Sequence, residues 1–209
     1  LAVATAAPAD EAVRRDVPTS RAPVSELQPG KTYRDAKGYI EYQPGTLPVI
    51  ITAPHGGTKG PTSIPDRAEG VTASDVYTED LARTIAAEFK RRTGQNVHLV
   101  INLLLRRKLD PNREIREAAQ GNPEAETAWN SYHAQIDRAK ATALKQYGFA
   151  FLVDVHGHGH AIPRLELGYA LDAASLNVDD SALDSPELAA HTTLNDLAAR
   201  TREPFSQVL

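Results

Sequence analysis

Cysteine is absent from this 209-residue chain. That removes disulfides, thiolate metal ligands and a cysteine nucleophile, so any metal must be held by imidazole and carboxylate groups. Long apolar runs are lacking too: none approaches the roughly 18 to 20 residues that a membrane span requires, and no span is expected. There is no Walker A loop, no dinucleotide-binding glycine fingerprint and no serine-hydrolase elbow, so nucleotide binding and serine catalysis have no signal. An excess of positive charge is also missing. The formal net charge is -4 with Lys and Arg scattered among Asp and Glu, so nucleic acid is not an expected partner.

The chain begins at Leu1 rather than at an initiator Met, and continues Ala2-Val3-Ala4-Thr5-Ala6-Ala7-Pro8-Ala9. This reads either as the end of a signal-peptide apolar region with its small-residue cleavage signal, or as an Ala/Pro-rich tail. The first reading implies export to the periplasm or the exterior; the second leaves a cytoplasmic protein open. Residues 1–30 carry no helical or strand periodicity and are expected to be an extended leader.

The remainder, 31–209, is long enough for one α/β domain with a sizeable core, its hydrophobic content being 41%. The ending at Phe205-Ser206-Gln207-Val208-Leu209, soon after a helix and without a polar close, suggests a portion of a longer protein. Gly38 to Gln43 alternate, Leu47 to Ala53 is a β-branched apolar run, Val97 to Leu105 is a second, Phe149 to Val155 a third, and Leu165 to Leu171 a candidate fourth strand. Between them, Ser74 can cap a helix in which Tyr77, Leu81, Ile85 and Phe89 recur at spacing four. Asn122-Pro123 has the start pattern of a helix that keeps its spacing from Trp129 to Tyr147 and ends at Gly148. Ser185-Pro186 opens a last helix carrying Leu188, His191, Leu194 and Leu197. Strands alternating with helices predict an α/β fold of three layers: a mainly parallel or mixed sheet with helices on both faces.

In open α/β sheets ligands gather at the C-terminal ends of the strands, and three unusual sequences fall there. His55-Gly56-Gly57 follows the first apolar strand. Arg106, then Asp110-Pro111-Asn112-Arg113, follows the second. Asp154-Val155-His156-Gly157-His158-Gly159-His160 ends the third. Asp154 and His156 share a strand parity, and a carboxylate beside an imidazole is the usual way to orient a metal-binding histidine. Zinc hydrolases commonly combine two histidines with one carboxylate and an open position. His55 and His156 are the candidate imidazoles, and Asp75 or Glu79, one turn apart at the start of a helix, the candidate acids. Two arginines and an amide, Arg106, Arg113 and Asn112, can hold a substrate carboxylate through bidentate hydrogen bonds. Arg107 and Lys108 read as a solvated basic stretch, and His158 and His160 read equally as solvated or functional.

At these residues the chain resembles the N-formylglutamate amidohydrolase family. The matching segments are Pro54-His55-Gly56-Gly57, Asp75-Val76-Tyr77-Thr78-Glu79, Arg106 with Leu109-Asp110-Pro111-Asn112-Arg113, and Asp154-Val155-His156-Gly157. They occur in the family's order and span roughly residues 45–170. The resemblance implies a zinc-carboxypeptidase-like fold and a Zn2+-dependent amidohydrolase or carboxypeptidase-like enzyme that hydrolyses an amide bond near a carboxylate. His55, Asp75 and His156 would be the metal ligands. Asn112 and Arg113, supported by Arg106, would bind a small or peptide-like substrate through its carboxylate. The general base of that fold usually comes from a late strand, for which Glu166 is the candidate. The Gly-His-Gly-His run departs from the family's pattern. A noncatalytic metal- or ligand-binding module on the same fold is the alternative.

Overall fold

The computed structural model describes residues 27–162 and 164–208, so residues 1–26 of the expected leader lie outside the described residues. Two compact units divide at residue 160, and each is described by itself. The first carries a five-stranded mixed sheet built from β1 (Tyr33–Arg34), β2 (Ile40–Gln43), β3 (Val49–Ala53), β4 (His98–Asn102) and β5 (Phe151–Asp154), in the order β1-β2-β4-β3-β5. β3 pairs in parallel with β4 and β5, whereas β2 runs antiparallel to β4 and β1. Among the described residues, three helices complete the unit: α1 (Thr78–Thr93), α2 (Ile115–Ala119) and α3 (Pro123–Tyr147).

The two-residue period of a strand decides which helix each side chain meets. Ile50 of β3, Val100 of β4 and Ile40 and Tyr42 of β2 pack in one cluster with Ala125, Ala128, Tyr132, Ile136 and Ala139 of α3. Their neighbours in sequence, Ile51, Ala53, Leu99 and Ile101, pack in a second cluster with Ala82 and Ala86 of α1. Helices therefore cover both faces of the sheet. α3 starts as its sequence dictates, with the Asn122 side chain accepting from the backbone amides of Glu124 and Ala125 ahead of Pro123, and it stops at Gly148. Losing such a cap costs about 1 kcal/mol.

Several expectations are corrected. Ser74 does not cap α1; Tyr77 is the N-cap, at φ 66 and without a side-chain cap bond, while the Ser74 hydroxyl accepts from the Arg106 amide. The buried stripe of α1 is Thr78, Ala82 and Ala86, one position on from the expected one, and Leu81 is exposed. Small residues let the helix lie close to β3 and β4, and Ile85 and Phe89 only flank the contact. β5 is an edge strand with Phe151, Leu152 and Val153 exposed rather than interior; an apolar run alone does not distinguish the two positions. Lys108 is buried, its ammonium bonded to the Ile64 carbonyl and paired with Asp66, so it is not solvated.

In the second unit, residues 165–171 form no strand. Short helices follow: α4 (Ala173–Leu176), α5 (Asp180–Leu183), α6 (Pro186–His191), α7 (Asn195–Thr201) and α8 (Phe205–Val208). Ser185 caps α6 as expected, but the expected single helix breaks after His191, where the Thr192 hydroxyl and the Thr193 amide both donate to the Tyr169 carbonyl. Among the described residues no helix is long and apolar enough to cross a membrane.

One buried histidine away from the strand ends gives a pH test. Nδ1 of His98 accepts from the Gly45 amide at 3.1 Å and faces the Tyr42 hydroxyl at 2.9 Å, so a proton there would oppose an N–H already in place. Burial pushes His98 down to about 4, whereas an unfolded histidine titrates near 6.5. As pH falls the unfolded chain takes up the proton first. Stability present above pH 6.5 should therefore decline through that window towards pH 4, by an amount on the order of 3 kcal/mol. Urea unfolding of wild type and His98→Gln at pH 7 and 4.5 should show a shallower decline in the variant; parallel declines would refute this.

Candidate metal centre

Parallel pairing brings the ends of β3, β4 and β5 to one edge of the sheet. Thr52 is in register with Asp154 and Ala53 with Ile101, so His55 and His156 both emerge just past the last paired residues. Buried Asn102 fixes the approach: its amide donates to the Pro54 carbonyl at 2.8 Å and to the Leu104 carbonyl at 3.2 Å. The two glycines after His55 answer to space rather than to positive φ. A Cβ on Gly57 would lie 2.2 Å from the Leu103 carbonyl carbon, and one on Gly56 2.4 Å from the Glu79 amide nitrogen. Only glycine lets the chain turn out at His55 and return to pair Lys59 with Leu104. Asp75 arrives from the loop before α1, its amide donating to the His55 carbonyl at 3.0 Å.

Three side-chain atoms converge. Nδ1 of His55 and Nδ1 of His156 lie 3.3 Å apart, and Oδ2 of Asp75 lies 3.4 Å from the first and 3.0 Å from the second. The three residues form a group that could hold a metal ion. Each imidazole is held on its far side by a second carboxylate. Nε2 of His55 donates to Asp110 Oδ1 at 2.7 Å, and Nε2 of His156 donates to Asp154 Oδ2 at 2.9 Å. With Nε2 engaged by a carboxylate, Nδ1 faces inward, where it would offer its lone pair to a metal ion, the arrangement that outer carboxylates favour for metal-binding histidines.

The outer carboxylates are themselves saturated. Asp110, fully buried, also accepts from the Asn112 amide at 3.2 Å and from Arg106 Nε at 2.9 Å. Asp154 accepts from the Thr52 hydroxyl at 2.5 Å and from the Asn112 side-chain amide at 2.6 Å. Asp75 Oδ2 takes a further bond from the Gly157 amide at 3.1 Å, and its Oδ1 lies 3.5 Å from Arg106. These partners set the charges. Burial opposes ionisation of Asp110, but the bonds from His55 and Arg106 outweigh it and hold the carboxyl at about 2. Asp75 is likewise held well below the usual carboxylate range by His156, His55 and Gly157, against its burial. Burial disfavours the charged form of His156, yet its bonds to Asp154 and Asp75 raise it to about 9. A cation is therefore favoured between the rings, as a proton or as a metal ion that displaces it.

The structure brings together His55, Asp75, His156, Arg106 and Asn112 of the expected site. It also separates the two candidate acids: Asp75 precedes α1 and faces the histidines, whereas Glu79 lies in the first turn and pairs with Arg83 at 2.8 Å. Asn112 and Arg106 bond to Asp154, Asp110 and Asp75. The Arg113 guanidinium extends to Glu117 at 3.4 Å with more than a third of its side chain exposed. Glu166 belongs to the second unit, where it accepts from His160 and Arg164, both at 2.8 Å. Sequence reasoning missed the role of Asp110 and of Thr52. Asp110 stood inside the quoted motif, but its place behind His55 follows from a loop that strand parity does not reach.

No protein-family model matches the chain, and neither a curated protein nor a solved structure matches it.

The separation of the two acids yields a direct comparison. Asp75→Ala should lower affinity for zinc or cobalt(II) by more than the roughly 10- to 100-fold typical of changes to an outer partner, while Glu79→Ala should bind nearly as wild type. Competition against a chelating dye measures both; equal losses would remove Asp75 from the ligand set.

Proposed function

We propose that this protein is a zinc-dependent hydrolase that cleaves an amide bond close to a carboxylate group, of the N-formylglutamate amidohydrolase kind on a zinc-carboxypeptidase-like fold. The observation that carries the proposal is the triangle of two imidazole nitrogens and one carboxylate oxygen with sides of 3.0 to 3.4 Å. Ligand atoms about 2.0 to 2.1 Å from a tetrahedral ion are spaced by about 3.3 to 3.4 Å, and two histidines with one carboxylate is a common catalytic zinc set. A donor set of nitrogen and oxygen, with both imidazoles backed by carboxylates, fits zinc better than magnesium or calcium, which favour oxygen alone.

When bound, zinc would supply Lewis-acid polarisation of a carbonyl and activation of water near neutral pH. The chain's own residues would do the rest. Asp110 and Asp154 hold the two ring tautomers. Arg106 balances the charge of Asp75 and Asp110. Arg113, on the loop that Asn112 ties to Asp154, would recognise the substrate carboxylate: its pairing with Glu117 is long and exposed, and exposed pairs are worth at most about 1 kcal/mol, so a substrate anion can replace Glu117 at little cost. Export of the protein is a further part of the proposal and rests on the first nine residues alone.

A second reading, a noncatalytic metal-binding module, is favoured by one observation. All three carboxylates around the histidines are committed to fixed partners: Asp75 to His55, His156 and Gly157; Asp110 to His55 and Arg106; Asp154 to His156, Thr52 and Asn112.

Kinetics on N-acyl amino acids, N-formylglutamate among them, together with their carboxyl-amidated counterparts, separate the two. The zinc-loaded enzyme should prefer the free acids. Arg113→Lys keeps the charge but loses the planar fork, and should reduce kcat/KM for free acids about ten- to a hundredfold, as loss of one charged hydrogen bond of about 1.5 to 3 kcal/mol implies. Amidated substrates should be nearly insensitive to it. Zinc binding without turnover of any of these amides would establish the binding module instead, and equal turnover of free and amidated forms would remove the carboxylate clamp.

A further inference from the structure

Arg67 is buried at 6% exposure, lies outside every motif considered above, and belongs to the loop that delivers Asp75. Its guanidinium reaches three backbone carbonyls on three separate stretches of chain: Nη1 donates to Val71 at 2.9 Å and to Arg106 at 3.3 Å, and Nε donates to Glu117 in α2 at 3.2 Å. The Arg67 amide adds a fourth tie, to the Arg107 carbonyl at 2.7 Å. The same Nη1 lies 3.8 Å from Oδ2 of Asp110, the carboxylate behind His55. Among the described residues, Nη2 is buried without a hydrogen-bond partner. Room for it is made by Gly70, which adopts φ +77 and on which a Cβ would stand 2.8 Å from Nη2.

A buried guanidinium with one nitrogen unpaired is costly, since both the charge and the orphan donor have lost water. An apolar side chain could fill the same volume. What it could not do is tie the loop carrying Asp75 to the stretch carrying Arg106, Asp110 and Asn112 while placing positive charge near Asp110. We propose that Arg67 is a positioning residue for metal capture: it fixes the Asp75 loop against the Asp110 loop, so that Asp75 and His55 are already oriented when the ion arrives, and Gly70 is its obligatory companion. The metal-site reading under Proposed function underlies this inference, which adds to it a residue that touches none of the three ligands.

The test uses the full chain, with zinc affinity from chelator competition and the visible absorption spectrum of the cobalt(II)-loaded protein as readouts. Arg67→Gln should bind zinc about 10- to 100-fold more weakly, the range for outer partners of metal ligands, and should show altered cobalt bands. Arg67→Lys retains charge but cannot span three carbonyls; it should be weakened as well, and it keeps the test alive if the glutamine variant does not fold. Gly70→Ala should weaken binding by displacing Nη2. Adding Gly70→Ala to Arg67→Lys, where Nη2 is gone, should cost less than adding it to wild type. A purely structural Arg67 would lower the folded fraction yet leave affinity and cobalt spectrum of the folded protein unchanged; that result overturns the proposal. Wild type that binds neither zinc nor cobalt overturns the metal site itself, and this inference with it.

Discussion

Two imidazoles facing each other across 3.3 Å cannot both present a proton, nor can both present a lone pair without something positive between them. The rest of the site follows from how that conflict is set up. Asp110 and Asp154 engage the outer nitrogens, which directs both inner lone pairs to the same place, and Asp75 adds an anionic oxygen beside them. Without a cation the arrangement is expensive, because buried acceptors that face only one another have given up water for nothing. Protonation of His156 relieves the conflict, and an ion with three inner-sphere partners relieves it more completely.

The two imidazoles are held differently. His55 is dry, with 2% of its side chain exposed, and its carboxylate is backed by Arg106 and approached by Arg67. His156 is 23% exposed, and its carboxylate is held by the neutral groups of Thr52 and Asn112. The site thus has a rigid inner side within the sheet edge and an accessible outer side along the segment from Asp154 to Gly157. A ligand entering from solvent meets His156 first, close to the loop of Asn112 and Arg113. This asymmetry is what the proposed hydrolase would need, an ion held firmly on one side and a substrate admitted on the other.

Much of this was legible in the sequence because periodicity and strand ends are local signals. The apolar runs of β3 and β4 and the capped α3 are read directly from Val49–Ala53, His98–Asn102 and Asn122-Pro123, and the convergence of His55 with His156 follows once β3 and β5 are parallel neighbours. Asp154 behind His156 was readable because two residues along a strand share a face. The pairing of Asp110 with His55 was not, since it depends on the path of a loop whose shape is set by Arg67, Lys108 and Gly70 through contacts distant in sequence. The edge position of β5 was hidden for a similar reason. Phe151-Leu152-Val153 has the composition of an interior strand, and which edges of a sheet are covered is a property of topology rather than of any one segment. Residues 165–171, apolar and alternating, form no strand in the second unit; alternation marks a preference that pairing partners must still realise.

The most direct test of the account is crystallographic: zinc-soaked crystals measured at the zinc absorption edge. The account predicts one strong anomalous peak about 2.0 to 2.1 Å from Nδ1 of His55, Nδ1 of His156 and Oδ2 of Asp75, with both Nε2 atoms still bonded to Asp110 and Asp154. A zinc bound through either Nε2 atom, or an anomalous peak only at histidines outside this triangle, would contradict it.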